Sequence, residues 1–451
     1  MSTTLIRNAA CIATFDDQDT VLHDAAIRVR DNRIDAIGPD AAGVTPADEV
    51  IDARGHILLP GLVNTHHHFY QTLTRNLPAA QDSGLFDWLV AHYPIWARID
   101  AQAIDSSTRV AAAELMLSGC TTAVDHGYVW PGDATIDVQI RAAAEMGLRF
   151  HAARGSMSVG ASRGGLPPDH AVEDEGFTLD DSQRVIETYH DAAELAMTRI
   201  VLAPCSPFSV SADLMQQTTQ LARHYGVHLH THLAETRDEE QYCRDVFGQT
   251  PVEYAEAQGW VGEDVWFAHL VHPHDAEITR LGRHRCGVAH CPSSNMRLAS
   301  GVAPLAAFRE AGMRVGLGVD GSASNDGSHM LGEARQAMLL QRLHNGPDAL
   351  SARQALWLAT RGGAAVLGRG DIGRLAPGMA ADIIGYRLDS LPLAGGAVHD
   401  PIAALAFCQP PRVDLSIING RLRVHRGELL GVDLPRLVQR HNDLARRLVQ
   451  G

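Results

Sequence analysis

The residues best suited to chemistry are four histidines and one aspartate that stand where apolar runs of the sequence end. They are His66, His68, His232, His269 and Asp320. Side chains two residues apart on a strand point to the same face, so His66 and His68 can share one metal ion at about 2.0–2.1 Å. The alternative is a run of surface histidines in a chain that has 24 of them. Because the five residues follow four separate apolar runs, the metal site is favoured.

The donor types in this set predict the kind of metal. The imidazoles of His66, His68 and His232, the carboxylate of Asp320 and a water molecule suit zinc, with Fe²⁺ or Mn²⁺ as the alternatives. The 38 residues counted as lysine or arginine are all arginines, so no carboxylated lysine can bridge two ions. We therefore expect one divalent ion per chain, with zinc favoured.

Glu235 follows His232 by three residues, where it can reach a substrate without binding the metal. The alternative is a solvated loop carboxylate. The acidic run at residues 238–240 comes next, and we expect it to be the solvated start of a helix.

The elements that must position these residues follow an alternating pattern. Strand-like and helix-like segments alternate from residue 60 to residue 367, as in a (β/α)₈ TIM barrel. The predicted strands end at residues 66–68, 126, 154, 204, 232, 269, 290 and 320, and the first of them includes the apolar run 57–63. Active sites of such barrels lie at the C-terminal ends of the strands, where the candidate residues collect.

Both ends of the chain contain short β-like runs separated by turns. We predict that residues 1–59 and residues 368–451 together form a small β-sandwich, and that a helix closes the sequence. This division leaves residues 60–367 for the barrel.

Composition limits the partners and the location. A net charge of −15 argues against nucleic acid, because phosphate binding needs a basic surface, and leaves a neutral or cationic small molecule. No apolar run approaches the roughly 18 residues of a membrane span, so no membrane partner is expected. The N-terminus does not resemble a signal peptide, and we expect a cytoplasmic protein.

Several segments together resemble the amidohydrolase superfamily. They are residues 60–68, His232 with Glu235, residues 268–269, residues 318–326 and residues 373–382. The resemblance covers nearly the whole chain. It departs from the family pattern at Met379, which stands where a lysine is usual. It implies the branch that deaminates or dechlorinates nitrogen heterocycles, and a homo-oligomer, because members are often dimers or larger.

The resemblance also implies a role for each candidate residue. The metal would be held by His66, His68, His232 and Asp320. Glu235 would carry protons to the ring of the substrate, and His269 would steady the attacking hydroxide. Asp320 would accept a proton from the water.

Three further residues are candidates for contact with the substrate. Gln71 carries both a donor and an acceptor that match a base edge, although it could only cap the following helix. Trp88 belongs to the aromatic-rich stretch 85–96, which could wall a slot for a planar ring or could pack over the barrel mouth or at a subunit contact. Cys205 follows the fourth strand and could face the ligand or be a small buried apolar residue.

The segments 66–75, 85–89, 93–97, 164–169 and 203–207 are similar to the members of this branch that deaminate amino-oxopurines. The implied reaction is 8-oxoguanine plus water giving urate plus ammonia, with isocytosine or guanine as secondary substrates. A hydrolase that removes an amine or chloride from an s-triazine is the alternative within the family. A non-catalytic barrel scaffold is the alternative from another class, which the complete set of metal ligands disfavours.

Overall fold

The computed structural model of the chain describes residues 2–43 and 46–450. These residues form seventeen strands in chain order. They are β1 (Thr3–Ala13), β2 (Val21–Arg30), β3 (Arg33–Gly38), β4 (Glu49–Asp52), β5 (His56–Pro60), β6 (Leu62–Asn64), β7 (Cys120–Gly127), β8 (Arg149–Ser156), β9 (Thr198–Pro204), β10 (His228–Leu233), β11 (Val265–His269), β12 (Gly287–His290), β13 (Arg314–Leu317), β14 (Ile383–Arg387), β15 (Leu415–Ile418), β16 (Arg421–His425) and β17 (Glu428–Leu429).

Fifteen α-helices connect or flank these strands within the same residues. They are α1 (Leu85–Trp96), α2 (Ala101–Leu117), α3 (Ile136–Met146), α4 (Glu175–Tyr189), α5 (Ala212–Tyr225), α6 (Arg237–Phe247), α7 (Pro251–Ala257), α8 (Asp275–Arg283), α9 (Pro292–Arg297), α10 (Leu305–Glu310), α11 (Met330–Asn345), α12 (Ala352–Trp357), α13 (Gly363–Val366), α14 (Pro401–Phe407) and α15 (Leu434–Gln450). A 3₁₀ turn, Phe69–Thr74, lies between β6 and α1.

Strands β6 to β13 pair in parallel and close into a barrel of eight strands, because β13 returns to pair with β6. Each predicted barrel strand is present. The apolar strand residues are buried, Val288 and Phe267 completely, which places the core between the strands and the surrounding helices. The barrel that the sequence predicted is therefore confirmed.

The two chain ends meet in one mixed sheet. Its strand order is β17-β16-β15-β14-β5-β1-β2-β3, and β4 pairs with β1. Strand β14, from the C-terminal part, pairs antiparallel with β5 from the N-terminal part. A β domain built from both chain ends is thus confirmed, while its predicted boundaries at residues 59 and 367 stay predictions, as does the homo-oligomer.

The apolar run 57–63 differs from the prediction, because it contains two strands instead of one. Strand β5 ends at Pro60 in the mixed sheet, and β6 begins at Leu62 in the barrel. Gly61 joins them where the chain passes so close to Thr121 that an added Cβ would lie 2.0 Å from its Oγ1. A side chain at residue 61 would collide with Thr121. The run is divided at this point because Gly61 N donates to the carbonyl of Asp382, beside the mixed sheet, while Leu62 N donates to that of Gly119, beside the barrel, both at 3.0 Å.

No helix among residues 2–43 and 46–450 combines the length and apolar character that crossing a membrane would require.

A buried ion pair joins the barrel to the mixed sheet. Arg149 on β8 is fully buried, and its Nε and Nη2 donate to the two carboxylate oxygens of Asp382, just before β14, at 2.9 and 3.1 Å. Arg149 Nη1 also donates to the carbonyls of Leu195 and Ala196 at 2.6 and 2.8 Å. The guanidinium is thus paired and hydrogen-bonded, which a buried charge requires.

Replacing Asp382 by Ala is expected to lower the free energy of unfolding by about 3–5 kcal/mol, since the charge of Arg149 would remain buried without its partner. Urea denaturation of the purified protein measures this. The control is Asp35→Ala, which breaks the exposed pair between Arg30 and Asp35 and should change stability little. Equal effects of the two substitutions would contradict the role of the buried pair.

Candidate metal centre

The predicted ligand histidines gather at the C-terminal mouth of the barrel. His66 and His68 lie in the loop after β6, since that strand ends at Asn64. His66 and His68 are therefore not strand residues. The prediction that strand alternation places them on the same face was wrong for that reason. The loop is instead shaped by backbone bonds: the carbonyl of His66 accepts from Asp320 N at 3.1 Å, and that of His67 accepts from His126 N at 2.7 Å.

His67 points away from the centre, where its Nε2 lies 2.9 Å from Ser328 Oγ. The other two imidazoles face Asp320: its Oδ1 lies 3.2 Å from His66 Nε2 and 3.3 Å from His68 Nε2. His68 Nε2 also lies 3.1 Å from His232 Nε2. Ligands about 2.1 Å from a tetrahedral ion are about 3.4 Å apart, so these spacings match a metal centre.

Backbone carbonyls determine which imidazole nitrogens carry hydrogen. A carbonyl only accepts, so Nδ1 of His68, 2.7 Å from the carbonyl of His126, must donate. The same holds for His232 Nδ1, 2.6 Å from the carbonyl of Cys205. In a neutral imidazole the other nitrogen, Nε2, then carries a lone pair. Two lone pairs therefore face each other 3.1 Å apart.

His66 also has its hydrogen on Nδ1, but a second histidine, rather than a carbonyl, is the acceptor. His230 Nδ1 lies 3.0 Å from the carbonyl of Trp266 and so must donate, which leaves His230 Nε2 as an acceptor. His66 Nδ1, 2.7 Å from that acceptor, must then donate in turn. Its Nε2 keeps a lone pair, is fully buried and has no hydrogen-bond partner among the described residues.

Burial favours the neutral form of each of these rings. It lowers the pKa of His66 and of His68, and it lowers the pKa of His232 to about 3. Burial alone would raise the pKa of Asp320, but the neighbouring imidazoles of His66, His269 and His68 outweigh it and lower that pKa. Three neutral nitrogens and one carboxylate that converge without protons between them fit a divalent metal ion.

His269 and Glu235 stand beside this set. His269 Nε2 lies 3.6 Å from Glu235 Oε2 and 3.8 Å from Asp320 Oδ2. Its Nδ1 lies 2.9 Å from Asn295 Oδ1, and Ser300 Oγ donates to Glu235 Oε1 at 3.3 Å. Asn295 and Ser300 were not predicted, because no spacing in the sequence links α9 and the loop after it to the other barrel loops.

Burial acts in opposite directions on Glu235 and His269, yet the pKa of each group is raised. Burial raises the pKa of Glu235, a shift that His269 opposes and the charge of Asp320 reinforces. Burial lowers the pKa of His269, but the charges of Glu235 and Asp320 outweigh it, and the net shift is upward. Both groups therefore keep a proton more readily than they would in water, and they lie side by side. Such a pair can take part in acid–base chemistry.

Glu239 differs from the prediction. Residues 238–240 do lie at the start of a helix, α6, but Glu239 is only 1% exposed. Its two carboxylate oxygens accept from the backbone N–H groups of Ala234 and Glu235, at 2.9 and 2.8 Å. Burial raises the pKa of this carboxyl to about 7. The charge pattern of the sequence could not show which of three consecutive acids turns inward.

A pocket opens onto the centre, and all three predicted contact residues line it. Gln71 lies in the 3₁₀ turn after His68, and its buried Oε1 has no hydrogen-bond partner in the described part of the chain. Trp88 on α1 donates from Nε1 to the carbonyl of Ala323 at 3.2 Å. Burial raises the pKa of the Cys205 thiol to about 12.

Other residues complete the wall of this pocket and were not singled out by the sequence. Most are apolar or aromatic, namely Leu85, Leu89, Tyr93, Tyr128, Phe208 and Leu298. Tyr93 belongs to the aromatic-rich stretch on α1, which therefore does border the pocket. Ser324, four residues after Asp320, donates to its Oδ2 at 3.0 Å. Its position within residues 318–326, the motif that contains Asp320, could have identified Ser324 from the sequence.

Known proteins resemble the chain over its whole length. The model of the amidohydrolase family matches residues 57–423. The 8-oxoguanine deaminase of Pseudomonas aeruginosa is 47% identical, with all of both chains covered. The hydroxydechloroatrazine ethylaminohydrolase of Pseudomonas sp. strain ADP is 39% identical, covering all of this chain and 97% of that one.

The solved structures include a similar enzyme with a metal. The atrazine chlorohydrolase of Arthrobacter aurescens TC1, complexed with zinc, superposes with a TM-score of 0.93 at 36% identity. The match covers 98% of this chain and all of that one. By its sequence and its fold, with a convergent set of imidazoles and carboxylates at the barrel mouth, the chain belongs to the amidohydrolase family.

Proposed function

We propose that this protein is a metal-dependent aminohydrolase that converts 8-oxoguanine and water into urate and ammonia. The observation that carries the proposal is a buried carboxyl, Glu235, which lies 3.6 Å from His269 Nε2 and lines the same pocket as His68, His232 and Asp320. Hydrolytic removal of an amine needs an acid in that position, because a ring nitrogen and the leaving group must each receive a proton. The 47% identity to an 8-oxoguanine deaminase over both full chains supports the choice of substrate.

The metal would be held by His66, His68, His232 and Asp320. One divalent ion per chain is proposed, zinc first and Fe²⁺ as the alternative, because nitrogen donors with one carboxylate suit both. When bound, such an ion acts as a Lewis acid and lowers the pKa of a water molecule from about 15.7 to about 7.

The residues of the chain would then direct protons. Asp320 accepts a proton from the attacking water through the carboxylate oxygen nearer His269. His269, whose pKa is raised, donates from Nε2 and steadies the oxygen as it adds to the carbon that bears the amine. Glu235, whose pKa is raised by burial, donates its proton to the ring nitrogen. The proton that Asp320 accepted from the water passes to the leaving amine, and the hydroxyl proton of the tetrahedral carbon returns to Glu235. The carbon–nitrogen bond breaks, and ammonia leaves as a carbonyl forms.

The pocket would hold the purine by shape and by one amide. Gln71 offers its unpaired Oε1 to an N–H on the ring edge, Trp88 forms an aromatic wall, and Cys205 contributes a small apolar contact. Arginine is absent from the described lining residues, so a neutral base suits the pocket better than an anionic one. A small, planar, uncharged oxopurine has these properties.

An s-triazine is the second candidate substrate. It is favoured by the 39% identity to a hydroxydechloroatrazine ethylaminohydrolase and by the likeness to an atrazine chlorohydrolase. Such a reaction would use the same centre. The non-catalytic scaffold is disfavoured, because all four proposed ligands are present and their donor atoms approach one another at the barrel mouth.

A substrate panel separates the two candidates. We expect the purified protein to release ammonia from 8-oxoguanine, with the ultraviolet spectrum of urate appearing at the same rate, and to act more slowly on guanine and isocytosine. Hydroxy-triazines are the comparison substrates. Absence of ammonia from every oxopurine would contradict the proposal, and release from a triazine alone would favour the second candidate.

Replacing Glu235 by Gln is expected to lower kcat by about 10²–10⁴-fold, the usual contribution of a general acid–base. The metal content should stay that of the wild type, since Glu235 is not among the proposed ligands. Steady-state ammonia release and metal analysis measure the two quantities. The matched control is Asp238→Asn, which removes an exposed carboxylate from the same turn; wild-type turnover in the Glu235 variant would remove that residue from the mechanism.

Replacing His230 by Leu is expected to weaken metal binding about 10- to 100-fold, because His66 would lose the acceptor that orients it. Competition with a chelator measures the affinity. His228→Leu is the control, since it alters the same strand two residues earlier, at its start. If both variants bind the metal like the wild type, the hydrogen bonds from His66 to His230 and from His230 to Trp266 do not orient His66 for metal binding.

A further inference from the structure

Glu239 is a buried acid that the proposed mechanism does not use. It lies at the third position of α6, where a glutamate often reaches back to the backbone N–H of the residue that caps the helix. Here it reaches further. The residue that caps the helix is Thr236, but the carboxylate of Glu239 accepts from the N–H groups of Ala234 and Glu235, which precede Thr236.

The shape of the chain at Ala234 makes this contact possible. Ala234 has φ of +50°, in the left-handed region that residues other than glycine seldom adopt. The turn brings the N–H groups of Ala234 and Glu235 to one side, as in the backbone concavities that bind anions. The carboxylate of Glu239 occupies that concavity with one oxygen for each N–H, at 2.9 and 2.8 Å.

The opposite side of the same turn is also held. The carbonyl of Ala234 accepts from the N–H groups of Val271 and His272, both at 2.9 Å, in the segment that follows His269. The turn carrying Glu235 is therefore fastened to the loop carrying His269. With that backbone fixed, Glu235 Oε2 lies 3.6 Å from His269 Nε2.

We propose that Glu239 is a positioning residue: its carboxylate holds the backbone of Glu235 so that the acid–base side chain meets the substrate. This inference rests on the proposed function of Glu235. A displacement of about 1 Å in a reacting group can cost about 100-fold in rate, so a clamp on this backbone affects turnover without touching the substrate. The metal ligands are held by other contacts and should not depend on it.

The test is Glu239→Gln, which keeps the size of the side chain but places an amide N–H₂ against one of the two backbone donors. We expect kcat on 8-oxoguanine to fall about 10- to 100-fold, with KM within about threefold of the wild type. Metal content should be unchanged. The matched control is Glu240→Gln in the same turn, whose carboxylate pairs with Arg244 at 2.9 Å near the surface; its kcat should stay within about twofold of the wild type.

A double-mutant cycle separates positioning from general support of the fold. If Glu239 acts through Glu235, then Glu239→Gln in the Glu235→Gln background should lower kcat by less than about twofold. An equal fall in both backgrounds, or a wild-type kcat in the single variant, would overturn the inference. Glu239→Asp keeps the charge and shortens the reach, and the same pattern is expected from it if the Gln variant does not fold.

Backbone hydrogen exchange tests the clamp without any substrate. The amides of Ala234 and Glu235 should exchange at least about tenfold faster in Glu239→Gln than in the wild type, and at the wild-type rate in Glu240→Gln. Unchanged exchange in Glu239→Gln would overturn the inference. Failure of the wild type to release ammonia from oxopurines would instead count against the proposed function, while the exchange rates would still decide whether the clamp exists.

Discussion

The structure of the site depends on hydrogen bonds from imidazoles to backbone carbonyls. The carbonyls of His126 and Cys205, and that of Trp266 acting through a second ring, each fix a proton on the outer nitrogen of a histidine. The inner nitrogens are left with lone pairs that face one another, which is unfavourable without a cation between them. Because the three carbonyls belong to different barrel strands or to the residues that follow them, the closed barrel is the condition for the site.

This arrangement also explains the chemistry next to the lone pairs. Burial favours the neutral form of His66, His68 and His232, and no arginine is found among the described residues that line the pocket beside the charge of Asp320. Burial and that charge together raise the pKa of Glu235, while the carboxylates raise the pKa of His269. A proton is therefore retained where a leaving amine would need one. The polar residues around the pair hold these positions without supplying charge to the pocket.

The sequence predicted most of this architecture, because apolar periodicity marks strands and polar residues at strand ends mark the mouth of a barrel. The sequence-based prediction failed where the structure depends on contacts between residues that are distant in the chain or on local backbone geometry. Residues 57–63 looked like one strand, yet the backbone changes its hydrogen-bond partner from Asp382 at Gly61 to Gly119 at Leu62, so the run is shared by two sheets. Glu239 looked like a solvated acid, yet it is enclosed by a turn whose left-handed residue, Ala234, carries no local signal. Partners distant in the chain, such as Asn295, had no spacing that could reveal them.

The central claim is that four side chains from three distant parts of the chain hold one cation. The most direct test is X-ray absorption at the metal edge, combined with an anomalous difference map from a crystal. The account predicts a single ion at about 2.0–2.2 Å from Nε2 of His66, His68 and His232 and from a carboxylate oxygen of Asp320. An ion bound elsewhere, or one whose nearest neighbours omit these nitrogens, would contradict it.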